Sequence, residues 1–333
     1  MSRFTAALAR LVNMLATNQK PTSSATVVIT TKNRIDDLRK AVASALAQTA
    51  NPEIIVMDDA SSDGTAEVMR REFPQVPVHR TEVSWGYIAQ RNRAARLASA
   101  PIIFSMDDDA VFSTPNVIKQ TLREFNDPRI GAVAIPFVDV NTNPAIRQKA
   151  PEPIGTYAAY SFIGTAHALR RDLFLALLGY REILVHQGEE EDYCIRMLNE
   201  GYITKCGNSD PIHHFESPRR SWERMDFYGA RNKILYAWHN IPASALATQV
   251  SGRTLKALTF SLEPRRMWTR FRGLCSGFTL VARGAAAREP VSRSVYRLSQ
   301  ELKRRGAIPL EEILSRLTES TEFRGRRVPV SAV

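Results

Sequence analysis

The chain lacks the features that mark several large functional classes. Its 333 residues hold three cysteines, Cys194, Cys206 and Cys275, and none form a CxxC pair. There is no disulfide-rich pattern, so a reducing cytosol is the expected compartment. No apolar run reaches the length of a bilayer span, and the opening residues do not read as a signal peptide. MSRFTAALARLVNMLA is apolar-periodic but interrupted by Arg3 and Arg10, which predicts an amphipathic surface helix within residues 1–21. No GxGxxG or GxxxxGK[ST] follows any strand-like run, so neither a dinucleotide fingerprint nor a P-loop is available. Any phosphate bound here needs a metal ion or basic side chains instead.

Basic charge is abundant but confined. The chain carries a net charge of +11, and residues 251–333 hold 17 Lys and Arg against 7 Asp and Glu. The preceding 250 residues are close to neutral, with 28 against 27. A nucleic-acid-binding domain spreads basic charge over its recognition surface, so nucleic acid is not an expected partner. The charge describes an appendage: a helical C-terminal extension over 251–333, behind a catalytic region over 22–250.

From Thr22 the pattern alternates. ATVVITT, EIIVMDD, VPVHRTE, PIIFSMDDD and IGAVAIPFV read as short apolar strands. Ile35, Leu38, Val42 and Leu46 give one apolar face of a helix, and GTAEVMRREF, Tyr87–Ser99 and NVIKQTLREF give further helices. Such alternation predicts an α/β fold with a mostly parallel central sheet and helices on both faces. Ligands of such sheets bind beyond the carboxyl ends of the strands. Three strands run there into polar clusters: Thr30-Thr31-Lys32-Asn33, Asp58-Asp59-Ala60-Ser61 and Asp107-Asp108-Asp109.

The Asp triplet is the sharpest of these. Like charges this close resist ionising together unless a cation compensates them. Asp107 and Asp109, two apart on extended chain, can face one ligand. Oxygen ligands at an open site suit Mg²⁺ or Mn²⁺ bridged to a phosphate. A solvated acidic turn is the competing reading for an isolated triplet, and the other strand ends tip the balance to metal. Ser61 to Thr65 read better as a turn and helix cap.

VVITTKNR, EIIVMDDASSDGT, WGYIAQRNRAA, SMDDDAVF and GEEEDYCIRMLNEGY, in that order, resemble the motif series of family 2 glycosyltransferases over roughly Thr26 to His214. The resemblance implies a GT-A, Rossmann-like fold, a nucleotide-diphospho-sugar donor, a divalent cation (Mn²⁺ or Mg²⁺), and inversion at the anomeric carbon. It implies that Thr31, Asn33 and one of Asp58 or Asp59 lie against the nucleotide and that Arg91 lies near it. It assigns Asp107 and Asp109 to the DxD motif, with Asp109 the direct metal ligand and Asp107 beside it, places Asp107 and Asp108 against the nucleotide sugar, and gives His214 to the metal site, although His213 stands beside it. UDP-sugar is the favoured donor, with dTDP- and GDP-sugars as alternatives, and the acceptor is a glycan or a lipid-linked sugar.

Two departures from the family pattern stand out. Thr30 replaces a frequent proline, which affects turn stiffness. The base motif, placed by Arg196, falls on Glu189-Glu190-Glu191-Asp192, so Glu190 occupies the position of the usual aspartate. Glu190 is thus the first candidate base, with Asp192 second and Glu191 third. Gly164, Thr165 and Ala166 lie in a segment that resembles the sugar- and acceptor-pocket wall.

Past Pro242 the resemblance fades. Met267, Phe271, Leu274, Phe278 and Val281 form a helical stripe opened by Pro264, with Arg265, Arg266, Arg270 and Arg272 around it. It reads either as a basic amphipathic helix on an anionic membrane surface, placing the protein at the inner face of the membrane, or as a helix packed on the catalytic region. GAIPLEEILSRL predicts a short separate helix. Two rival functions fit the strand-end carboxylates. A nucleotidyltransferase acting on sugar phosphates would carry a glycine-rich loop at the first strand, and VVITTKNR has none. A non-catalytic membrane-surface binding protein would not need the intact Asp107 and Asp109.

Overall fold

The computed structural model describes residues 23–216, 221–260 and 263–320, so the helix expected within 1–21 lies outside the described residues. The first half alternates as the pattern predicts: β1 (Ala25–Thr31), α1 (Ile35–Leu46), β2 (Glu53–Asp58), α2 (Thr65–Glu72), β3 (Val78–Arg80), α3 (Tyr87–Leu97) and β4 (Ile102–Asp107). Successive strand residues point to opposite faces, and here both faces are buried. Val27, Ile29, Ile54, Val56 and Phe104 join Leu38, Ala41, Val42 and Ala45 of α1 in one apolar cluster. Val28, Ile55, Met57 and Ile103 point the other way, onto Ile88, Ala94 and Ala95 of α3.

The chain continues through β5 (Ala110–Phe112), α4 (Val117–Leu122), β6 (Ile130–Ala134), β7 (Phe137–Asp139), β8 (Asn143–Arg147), β9 (Tyr157–Ala159), β10 (His167–Arg170) and α5 (Arg171–Ala176). After a 3-10 turn at Glu182–Leu184 come α6 (Glu189–Asn199), β11 (Ile203–Cys206) and β12 (Ile212–His214). IGAVAIPFV is thus two strands rather than the one expected. β6 belongs to the main sheet and β7 to a second one, and Pro136 between them has no N–H with which to continue a ladder.

The C-terminal part comprises α7 (Trp222–Asn240), α8 (Ala243–Thr259), α9 (Pro264–Ala282), α10 (Arg293–Arg305), β13 (Ala307–Pro309) and α11 (Leu310–Ser320). The start of GAIPLEEILSRL is therefore a strand. β13 pairs antiparallel with β9 at the edge of the main sheet, and the expected helix begins only at Leu310. Val295, Leu298 and Leu302 of α10 join the same apolar cluster as β1.

The main sheet has nine strands in the order β13-β9-β11-β6-β10-β4-β1-β2-β3. Strands β4, β1, β2 and β3 run parallel, with Thr31 opposite Asp58 and Thr30 opposite Asp107. The three polar clusters therefore end on one rim. A second sheet, β5-β12-β7-β8, sits beyond it and places His214 between Ala110 and Asp139.

Candidate active site

Asp107, Asp108 and Asp109 link β4 to β5, so one triplet joins the two sheets. The backbone oxygen of Asp109 accepts from the Phe215 N–H at 2.8 Å, which brings the end of β12 against it. Strand alternation then separates the two histidines: His214 faces the triplet and His213 does not. His214 Nε2 lies 3.2 Å from Asp109 Oδ1, and its Nδ1 lies 3.6 Å from Asp139 Oδ1. One ligand atom each from Asp107, Asp109 and His214 fall within 4.8 Å of one another. Two carboxylates and an imidazole at that spacing fit a divalent first-row cation, and the Asp139 carboxylate lies behind the imidazole, beyond hydrogen-bond distance.

A cation already sits on this charge. Arg34, at the start of α1, donates from Nη1 to Asp109 Oδ2 at 2.8 Å and lies 3.3 Å from Asp108 Oδ1. Asp108 is buried and also accepts from Thr31 Oγ1 at 2.7 Å. Burial outweighs these partners and pushes its pKa up to about 7. Burial also works against ionised Asp109, but His214 and Arg34 prevail and hold its pKa below the ordinary value. His214 is raised in turn: Asp109 beside it outweighs the cost of burying its charge.

The second cluster divides its roles. Asp59 is spent on structure, accepting from the backbone N–H of Trp85 at 2.7 Å and Gly86 at 3.1 Å, and from Gln90 Nε2 at 2.8 Å. It thereby holds the entry to α3. Asp58 is fully buried, and its Oδ1 accepts from the Ser61 N–H at 2.9 Å. Its Oδ2 has no hydrogen-bond partner among the described residues. Asn33 takes φ 55°, a left-handed conformation that asparagine tolerates, and locks two loops together. Its N–H donates to Ser61 Oγ at 2.9 Å and its Oδ1 accepts from the Ser62 N–H at 2.7 Å.

Arg91 projects from α3 beneath the rim. Its Nη2 donates to Asp107 Oδ1 at 2.6 Å, and its Nη1 lies 3.4 Å from Glu189 Oε1. The backbone at Gly164 passes over this pair: a Cβ there would stand 3.0 Å from both Arg91 Nη1 and Glu190 Oε1. Only a residue without Cβ leaves both groups undisturbed.

The four acidic residues that open α6 fan out at about 100° per residue. Glu189 is fully buried and accepts from Tyr87 Oη at 3.2 Å. Glu190 turns to the rim near Gly164, with no cation at ion-pair distance among the described residues. Burial raises its pKa above the ordinary carboxylate value. Glu191 points to the C-terminal part, accepting from Tyr160 Oη at 3.2 Å and Lys303 Nζ at 3.1 Å. Asp192 is sealed by Arg181 at 2.6 Å, Asn240 at 2.7 Å and Arg196 at 3.0 Å. Of the three candidate bases, Glu190 alone is brought to the rim; Glu191 and Asp192 are not.

The turn before α6 is strained. Val185 and Gln187 adopt φ of 59° and 67°, unfavourable for residues with a Cβ and most of all for a β-branched one. Asn232 of α7 holds it, donating from Nδ2 to the carbonyls of Leu184, His186 and Gln187 at 2.9, 2.9 and 2.7 Å. Sequence reasoning missed Arg34, Asp139 and Asn232. Arg34 was within reach, one residue beyond the strand-end cluster; the other two carry no local signal.

Known proteins share this architecture. The profile of the family described as "Glycosyl transferase family 2" matches residues 26–178. The succinoglycan biosynthesis protein ExoU of Rhizobium meliloti (strain 1021) is 25% identical over 272 residues, covering 78% of this chain and 72% of ExoU. Among solved structures, the mannosyltransferase PcManGT from Pyrobaculum calidifontis, in complex with GDP-Man and Mn²⁺, superposes with a TM-score of 0.54 at 17% identity, over 97% of this chain and 96% of that one. S. aureus TarS 1–349 in complex with UDP-GlcNAc does so at 0.57 and 14%, over 89% and 91%. These likenesses identify the GT-A fold. Among the described residues, no helix is long and apolar enough to cross a membrane. The motif order, the parallel sheet that ends in acidic clusters and the profile over residues 26–178 together support a glycosyltransferase of the family 2 kind, acting in sugar transfer for glycan biosynthesis.

Proposed function

We propose that the protein transfers a sugar from a nucleotide-diphospho-sugar to an acceptor hydroxyl, with inversion, using Glu190 as the base and residues 22–250 as the catalytic region. The observation that carries this reading is the arrangement of Asp107, Asp109 and His214 as a cation site, with Glu190 on the same rim. Asp107, Asp109 and His214 would hold Mn²⁺ or Mg²⁺, and the bound cation offsets charge on the leaving diphosphate. Asp58 and Thr31 would lie nearest the nucleotide base; Asp58 Oδ2 accepts no hydrogen bond among the described residues, with Arg80 Nε 3.7 Å away, and could accept from an imino or amino N–H. Arg91 keeps Asp107 and Glu189 in place rather than reaching the ligand. Glu190 takes the proton of the acceptor hydroxyl as its oxygen attacks the anomeric carbon. A glycosidic C–O bond forms, the bond to the diphosphate breaks, and the nucleoside diphosphate leaves.

PcManGT is described with GDP-Man and TarS with UDP-GlcNAc, so similar folds take different bases. UDP-sugar remains the first donor to try, before dTDP- and GDP-sugars, with glycan or lipid-linked acceptors. The deciding experiment incubates purified protein with a panel of nucleotide sugars plus Mn²⁺, Mg²⁺ or EDTA, and follows nucleoside diphosphate release. The proposal requires release from at least one donor that EDTA abolishes, and a product of inverted anomeric configuration by NMR. Release that ignores EDTA, or a retained configuration, overturns it.

A further inference from the structure

Helix α9 is seated in an unusual orientation. Its inner face is centred on Arg270, Gly273 and Gly277 rather than on its large apolar residues. A Cβ at Gly273 would come within 2.3 Å of the Phe227 carbonyl, and one at Gly277 within 2.8 Å of the Arg231 carbonyl, so the two backbones are in close contact. Asp226 of α7 fixes the rotation about the helix axis. It accepts from Arg266 Nε at 2.7 Å and from Arg270 Nε at 3.0 Å. The expected stripe is therefore divided. Leu274 is buried, whereas Met267, Phe271 and Phe278 face outward, 41%, 46% and 43% exposed, and Trp268 beside them is 61% exposed.

This outward apolar surface continues past the helix. Trp268 stacks on Phe271 with ring centroids 5.6 Å apart. Trp222, 57% exposed, lies against Arg266 at one end of the patch, and Phe260, 64% exposed, lies against Arg270. Arg265 and Arg272 are exposed on the same helix, and Pro264–Ala282 contains no acidic residue. Exposed aromatic residues rimmed by arginine, within a segment of net charge +10, match the interface of an anionic bilayer in both apolar depth and charge. Exposed Glu223 and Glu263 stand at the Trp222 and Pro264 end of the patch, and the charged residues of Pro264–Ala282 are all arginine.

We propose that this face of α9, with Trp222 and Phe260, docks the protein on an anionic lipid surface. Trp268, Phe271 and Phe278 enter the interfacial layer while Arg265 and Arg272 pair with lipid phosphates. Helix α7, against which α9 packs, also carries Asn232, which holds the turn before Glu190. One rigid helix thus ties the docking face to the base, and docking orients the active site relative to the membrane.

The test uses the full chain and sedimentation with phosphatidylcholine vesicles, with and without phosphatidylglycerol. Wild type is expected to sediment only with the anionic vesicles and to be released by salt. Trp268→Ala with Phe271→Ala, and separately Arg265→Glu with Arg272→Glu, should each weaken binding at least ~10-fold. All four side chains are exposed, so circular dichroism and donor hydrolysis should stay at wild-type levels. Failure to sediment with anionic vesicles, equal binding to neutral ones, or unchanged binding by either double variant overturns the proposal. So does a wild-type dimer in solution that the Trp268 and Phe271 changes dissociate, because a second copy would then cover the face. None of these outcomes touches sugar transfer, which the hydrolysis assay reads independently.

Discussion

Asp192 separates a structural carboxylate from a catalytic one, and its removal has a calculable cost. The residue has no exposed surface, and two arginines and an amide donate to it at 2.6–3.0 Å. Truncating one partner of a buried charge pair costs roughly 3–5 kcal/mol, because the remaining charge loses its counter-ion. The arginines keep other partners here. Arg196 also donates to the carbonyls of Leu177 and Gly179 at 2.7 Å, and Arg181 pairs with Glu289 at 3.0 Å. Asp192→Ala should therefore fall at the lower end, about 3 kcal/mol. Asp192→Asn keeps the shape and loses the charge, which places it near 1.5–3 kcal/mol, roughly the range of hydrogen bonds to charged groups. Urea unfolding followed by tryptophan fluorescence measures both. Turnover of the folded Asp192→Asn protein should stay within a few-fold of wild type. If that variant has unchanged stability and loses turnover by ~10²-fold or more, Asp192 is the base and the assignment to Glu190 is wrong.

The same ion cluster sets a pH dependence. Burial disfavours ionised Asp192, but Arg196 and Arg181 overcome it, so the folded pKa lies below the unfolded value. Its stabilisation is therefore present above the unfolded pKa, about 3.9, and lost as pH falls through the folded one, so Asp192→Asn should flatten the acid limb of the stability curve. For Glu190 the raised pKa means that kcat climbs with pH through a value above the ordinary ~4.3, and Glu190→Gln should abolish that limb. Arg34→Gln removes a guanidinium that competes for Asp109. Mn²⁺ affinity without donor, by calorimetry, should rise roughly 5–10-fold, about 1 kcal/mol for a partly exposed pair, and unchanged or weaker affinity would show that Arg34 does not compete. Gly164→Ala crowds Arg91 and Glu190 and should lower kcat by ~10-fold or more with donor KM little changed; normal kcat would place the chemistry elsewhere.

Strand and helix order was readable because each element carries its own period and both sheet faces are buried. The rim followed from the rule that ligands sit at strand ends, and Thr31, Asp58 and Asp107 do end side by side. What lay beyond reach was commitment. Asp58 and Asp59 are adjacent and chemically identical, yet one keeps an oxygen with no hydrogen bond among the described residues, near Arg80, and the other is consumed by the entry to α3. Only tertiary hydrogen bonds distinguish them. Glu190, Glu191 and Asp192 likewise separate through distant partners or the lack of one. Tyr160 and Lys303, which hold Glu191, stand 31 and 112 residues from it along the chain. The stripe in α9 was visible, but its seating depends on two glycines and on Asp226, which no hydrophobic period reports. β13 is three residues long and exists because β9 presents an edge to it.

The central claim is that Glu190 removes the acceptor proton beside a cation site built from Asp107, Asp109 and His214. Turnover of Glu190→Gln, measured with Mn²⁺ at saturating donor and acceptor from the nucleotide-sugar panel, tests it most directly. Loss of a general base predicts a kcat lower by roughly 10²–10⁴ with donor affinity nearly unchanged. Near-normal turnover by that variant would contradict the account.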